Sequence, residues 1–356
     1  MPLDLSFSCW FFYFFWKWEK IAGSMMGFQS LPHFPYSDEQ SFGAYIGLGV
    51  LSLWVTRKHL YSVAKKIMTN TSEVNDSDEP MTYRAAFFLA IISMTFLVLF
   101  CYHAGMSLWV ILLFFMLFLL LSISFARIRA VSGVLFHDLH FMGPDTALVK
   151  VFGTQRFGAG NLTMFSFLYF FNRAHTSNPM PYQLESFKIA ERTHIRSKGL
   201  LCAMLLSIGI GSLASFWALL HGTYKFGSGG SFGWEPFQRL QRWLASPTRF
   251  SSASTTFTFI GLLFTFLLSI MRHRFIWWPL HPIGYAISGT YTMNIFWLSF
   301  FISWAIKWVI LKRGGLRAHR KATPFFSGLV LGEFIMGSLW SIMAIVLQRP
   351  MYDFID

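Results

Sequence analysis

Three stretches of this 356-residue chain gather residue types that could do chemistry. The first, RIRAVSGVLFHDLHFMGPD, places His137, Asp138, His140 and Asp145 within nine residues. Imidazole and carboxylate are good ligands for zinc or iron. The spacing HDLH fits neither a helical i, i+4 pair nor a standard zinc pattern, so His137 and His140 are named as candidate ligands while no metal site is expected. His140 to Asp145 also reads HxxxxD, the spacing at which a carboxylate orients a histidine base in glycerolipid acyltransferases. Six residues without a second motif do not make an enzyme, and the reading adopted is a polar loop packed at a membrane face. In the second stretch, near the carboxyl end, Lys307 and Glu333 interrupt otherwise apolar runs. The third, FIWWPLHPIGYAISGTYTMN, joins His281, two prolines, Tyr285 and Asn294. Proline frees backbone carbonyls that can line a polar cavity, and histidine titrates near neutral pH.

The elements that carry these residues must live in lipid. Hydrophobic residues make up 54% of the chain and charged residues only 13%, with 42 Phe and 14 Trp and a mean hydropathy of +0.48. A soluble domain carries about 25% charged residues, so an ordinary water-soluble globule is excluded. Roughly 20 apolar residues cross a hydrocarbon core as a helix. Ala85 to Tyr102, Met106 to Ala126 and Leu200 to Leu220 do so with no charge at all, and Ser41 to Thr56 and Thr255 to Met271 are further spans. Thr292 to Leu311, Phe326 to Leu347 and the aromatic-rich Leu3 to Trp16 complete the set. Asn161 to Phe171 and the proline-bearing Phe275 to Thr290 are too short or too broken for straight spans. Irregular backbone is tolerated at membrane depth only where protein or a water-filled cavity satisfies it, so these read as re-entrant or interfacial pieces. The expected fold is therefore an all-α polytopic integral membrane bundle of seven to nine segments, one domain over 1–356.

The net charge of +13 follows the positive-inside pattern and calls for no nucleic-acid partner. If 275–311 crosses twice, the loops 57–84, 127–199, 272–274 and 312–325 share one face and carry 21 Lys and Arg against six on the other. That asymmetry assigns them to the cytoplasm and makes 127–199 one long cytoplasmic loop. Within it, Leu184, Phe187 and Ala190 recur at helical spacing with charges between them, which predicts an interfacial amphipathic helix near Pro181 to Thr193. Cys9, Cys101 and Cys202 lie in separate apolar stretches and read as small buried hydrophobes.

A charge inside a span costs at least about 2.5 kcal/mol on insertion scales, which makes Glu333 and Lys307 the first candidates for a substrate or ion pathway, with His281 and Asn294 beside them. Gly328, Gly332 and Gly337 around Glu333 predict close helix packing that turns the carboxylate inward. The same packing is expected at Gly43 and Gly47, and at Ser207, Gly211 and Ser215.

The blocks RIRAVSG with MGPD, FNR with NPMPYQLESFKIAE, FGWEPFQRLQRWL, WWPLHPIGYAIS and LKRGGLRAHRKATPFFSGLVLGEFIMGSLW resemble an uncharacterised family of multi-pass bacterial membrane proteins. That family is known chiefly as paired domains of unknown function and is distantly similar to oligopeptide transporters. Its members extend further at the amino-terminal side, so the resemblance implies a carboxyl-terminal half, a partner supplying the other half, and a bacterial inner membrane. No catalytic or binding residue comes with it. The function expected is secondary transport of a small polar solute or peptide, with no cofactor and no enzymatic activity. The competing expectation is a structural subunit that scaffolds or anchors a larger membrane complex.

Overall fold

Backbone in a bilayer has no water to bond with, so apolar runs satisfy their amides internally as helices. In the computed structural model every regular element among the described residues is helical. The structure describes residues 1–28, 31, 33–69, 75–133, 138–140, 142–227 and 233–349. Contacts divide the chain into two compact units, Met1–Trp297 and Leu298–Asp356.

The first unit contains α1 (Leu3–Met25), α2 (Ser37–Thr69), α3 (Tyr83–His103), α4 (Leu108–Ser132), α5 (Pro144–Phe152), α6 (Gly158–Phe167), α7 (Tyr169–Asn172), α8 (Pro179–Thr193), α9 (Ser197–Phe226), α10 (Trp234–Ala245), α11 (Ser252–Arg274), α12 (Pro282–Ser288) and the first turns of α13 (Tyr291–Leu347). Among them α3, α4, α9, α11 and α13 are long and apolar enough to cross a membrane. A helix does form near Pro181: α8 is opened by the Asn178 side chain accepting from the Met180 amide and by proline in its first turn, both favourable at a helix start.

The closest seam is between α2 and α11. A methyl group placed on Gly43 would overlap the Thr258 carbonyl oxygen, and one on Gly261 would overlap the Gln40 carbonyl. Gly47 lies against Leu262 and Thr265. Residue numbers rise together along the seam, so the two helices run in the same sense. The expectation of close packing at Gly43 and Gly47 is met. At Gly211, Gly328 and Gly332 a methyl would meet nothing within 4 Å among the described residues of the same unit. Cys9 and Cys101 are buried as expected, whereas Cys202 is exposed on α9, where none of residues 197–225 is buried.

Helix α1 runs against α11, with Asp4 paired to Arg272 and Phe12 edge-on to Phe264. The broken stretch after α11 follows α1: Ser8 meets the Pro279 carbonyl and the His281 amide, Phe12 meets Tyr285, and Trp16 donates to Ser288. The chain then turns, since Lys17 reaches Asn294 and Tyr13 stacks on Trp297.

The stretch read as a cytoplasmic loop, 127–199, is largely folded into the bundle. From Asp138, whose carboxylate binds the His175 amide beside Phe125, the chain descends through α5 to Phe157, stacked on Trp109 near the start of α4. It turns at Gly153 and Gly158, both in the left-handed region, which glycine enters without steric cost. It then climbs: Asn161 binds Ser107, Phe165 stacks on Phe114, Phe171 meets Phe118, His175 meets Phe125, and Glu185 binds Arg129. From Trp109 to Arg129 is about 30 Å of helix, the thickness of a hydrocarbon core. The segment is a helical hairpin packed along the length of α4, as a re-entrant element would be. Its apolar pieces are each too short to read as spans, which is why the sequence suggests a loop; only Asn161 to Phe171 stood out as re-entrant.

In the second unit α13 breaks at Gly315, whose φ of 59° and ψ of −160° are not helical. Ser303, Lys307, His319 and Thr323 line one cavity of about 380 Å³ between the arms on either side of the break.

Candidate functional site

The hairpin brings polar side chains against the middle of α4, where the neighbouring elements are apolar. Asp138 is buried; its Oδ1 accepts the His175 backbone N–H at 2.6 Å and its Oδ2 lies 2.9 Å from His140 Nδ1. The buried His175 ring stacks on Phe125 at 4.7 Å, and Phe125 packs on the Tyr45 ring at 4.9 Å. Both His175 ring nitrogens, the Tyr45 hydroxyl and both amide atoms of Asn172 are buried without a hydrogen-bond partner among the described residues. Next to Asn172 stands Asp145, whose Oδ2 binds Arg239 of α10 at 2.5 Å while its Oδ1 has no partner. Each unpaired buried group of this kind costs roughly 1–3 kcal/mol. Several occur close together here, His175 between helices, Tyr45 on α2, Asn172 at the end of α7 and Asp145 in the first turn of α5.

Around this core the polar groups are firmly held. Asn178 donates to Ser122 at 2.8 Å, and Ser124 donates to the Tyr45 carbonyl at 2.6 Å. On the α10 side, Tyr169 donates to Glu235 at 2.6 Å, and the Arg239 guanidinium lies over the Tyr169 and Trp243 rings. Lys150 pairs with the buried Glu39 at 2.8 Å. These contacts fix the hairpin's position, while atoms of His175, Tyr45, Asn172, Asp145 and Arg239 keep hydrogen-bonding capacity to spare.

A model of a family of unknown function, DUF6785, matches residues 1–356. The chain belongs to that family. No curated protein and no solved structure matches it. Membership in DUF6785 and the apolar helices agree with an integral membrane protein and carry no residue roles, so the site rests on geometry.

The residues singled out from the sequence do not form one cluster. His281 is buried as the cap of α12, its Nδ1 accepting from the Ile283 amide at 3.1 Å and its own amide bonded to Ser8. Asn294 is exposed near the other end of α1, where its Oδ1 accepts from Lys17 at 3.4 Å. Lys307 is half-buried at the cavity of the second unit. Glu333 is exposed on its own helix and has no hydrogen bond among the described residues, and within its own unit a methyl on Gly328 or Gly332 would meet nothing within 4 Å. His137 lies outside the described residues. His140 is bound to Asp138 and Asp145 to Arg239, so the HxxxxD pair is not assembled. Among the described residues no group of three side chains suits a metal ion.

Sequence reasoning missed Tyr45, Asn172 and His175, and it placed Asp138 at a membrane face. The available signal was the run FNRAHTSNP, where two asparagines and a histidine interrupt apolar sequence; only the hairpin reveals that this interruption is buried.

Proposed function

We propose that the chain is a secondary transporter of a small polar solute or peptide, acting alone or with a partner chain in a bacterial inner membrane, and that the Asp138–His175 core is part of its solute or proton path. The observation that carries this reading is the pair of unpartnered His175 ring nitrogens, buried on broken helices beside α4. Transporters build their sites on discontinuous helices at membrane depth, and an intramembrane ionisable group is retained at a cost that function must justify. The resemblance to oligopeptide transporters points the same way, as a fold-level analogy.

The test uses purified protein in liposomes loaded with a pH-sensitive dye and challenged with amino acids and dipeptides. Solute-driven acidification is expected, together with its loss in His175→Phe, which keeps the stack on Phe125 but removes both nitrogens. No response to any solute, combined with a raised melting temperature for His175→Phe, would show the core to be a packing defect. The second reading, a structural subunit, is favoured by α9, none of whose residues 197–225 is buried, leaving a circumference open to lipid or another chain. A defined stoichiometric complex recovered by native mass spectrometry, without solute flux, would support it.

A further inference from the structure

Away from the polar core, the middle of α2 and the carboxyl-terminal ends of α4 and α11 enclose, with α8 and the start of α12, a cavity of about 650 Å³. Its walls are apolar, including Leu51, Ile123 and Met180, and its polar lining includes Arg127, Arg272, His273 and His281. No carboxylate lines it. Arg272 is paired with Asp4 at 2.5 Å, whereas Arg127 is exposed and has no ion pair among the described residues. We infer that this cavity is a binding site for an anionic phospholipid, with the headgroup phosphate held by Arg127 and Arg272 and the acyl chains against the Leu51 and Met180 wall.

Charge complementarity commits the site to that occupant. A guanidinium presents a planar fork of donors matched to phosphate oxygens, and basic pockets between membrane helices on the cytoplasmic side hold anionic headgroups. The apolar wall next to the cations excludes a purely hydrophilic ligand as the best fit, because it would leave that wall against water. His273 adds a third donor, and His281, whose Nδ1 is taken by the Ile283 amide, closes the floor. The site is independent of whether the protein transports anything.

Native mass spectrometry of the full chain in mild detergent, titrated with phosphatidylglycerol or phosphatidylcholine, tests the inference. Phosphatidylglycerol should bind with defined stoichiometry and phosphatidylcholine markedly less. Arg127→Gln should weaken phosphatidylglycerol about tenfold, the loss of roughly one charge-assisted hydrogen bond, with the melting temperature of the lipid-free protein unchanged. Arg196→Gln, an exposed residue outside the cavity, serves as the control and should bind as the wild type does. Equal loss in both variants would mean unspecific charge attraction and overturn the site. Equal binding of the two lipids would also overturn it. Full competition by millimolar glycerol phosphate would show that a free phosphate compound, not a lipid, is the occupant.

Discussion

Replacing Gly43 by alanine puts one methyl group into the α2–α11 seam, where the atom it meets is the Thr258 carbonyl oxygen. Backbone in a helix cannot rotate aside as a side chain can, so relief requires the two helices to separate and to loosen the Gly47 contact with Leu262 and Thr265. Overpacking of a close interface costs about 1–3 kcal/mol, and contact with rigid backbone belongs at the upper end. Alanine also gains about 1 kcal/mol over glycine in a helix interior, leaving a net loss of about 2 kcal/mol. At Gly211, where a methyl meets nothing, only the gain remains, so the two variants should differ by about 3 kcal/mol, more than a hundredfold in the folding equilibrium. Tryptophan-fluorescence unfolding of purified protein in mild detergent measures the difference. Gly261→Ala should behave like Gly43→Ala, and the double variant should cost less than the sum because one separation relieves both overlaps. If Gly43→Ala melts with or above Gly211→Ala, the seam is not where the structure places it.

The hairpin makes a topological prediction: cysteines introduced at Arg156 and Arg196 should label from opposite sides of the membrane, whereas the loop expected from the sequence would put both on one side; same-side labelling would refute the re-entrant fold. Asn161 accepts from the Ser107 amide at 2.8 Å and donates to Ser107 Oγ and the Phe157 carbonyl, so Asn161→Leu should cost roughly 1–3 kcal/mol in the same unfolding assay, and an unchanged midpoint would mean that the turn is not anchored there. In the α2–α3 connection, the Lys66 ammonium hydrogen-bonded to Asp76 holds that carboxyl below its usual range. A lowered folded-state value means that the stabilisation is complete above the ordinary carboxylate range and is lost as pH falls through the lowered value. Amide exchange at Tyr83, which donates to Asp76, should therefore be slow at neutral pH and lose its protection only in acid, and Asp76→Ala should be unprotected throughout; a change near pH 6 would implicate another group.

Composition and hydropathy alone determine that this is a helical membrane protein, because a chain so rich in Phe and Trp and so poor in charge has no soluble fold in which to hide them. They also place α3, α4, α9 and α11 to within a few residues, and charge periodicity locates α8, since these features depend only on local backbone and side-chain properties. Partner choice is a different kind of fact. Gly43 and Gly211 look alike as small residues in apolar helices, yet one faces a carbonyl and the other faces nothing, because the sequence does not say which helix arrives opposite. The same holds for the site. Glu333 draws attention as a lone charge in an apolar run, but no helix of its own unit closes over its glycines. His175 sits in what reads as a polar loop and is buried only because the hairpin folds back along α4 and sets Asp138, Asn172 and Tyr45 around it. Burial is a property of the assembled bundle: it depends on long-range contacts between segments that are individually too short to span, and no local pattern encodes them.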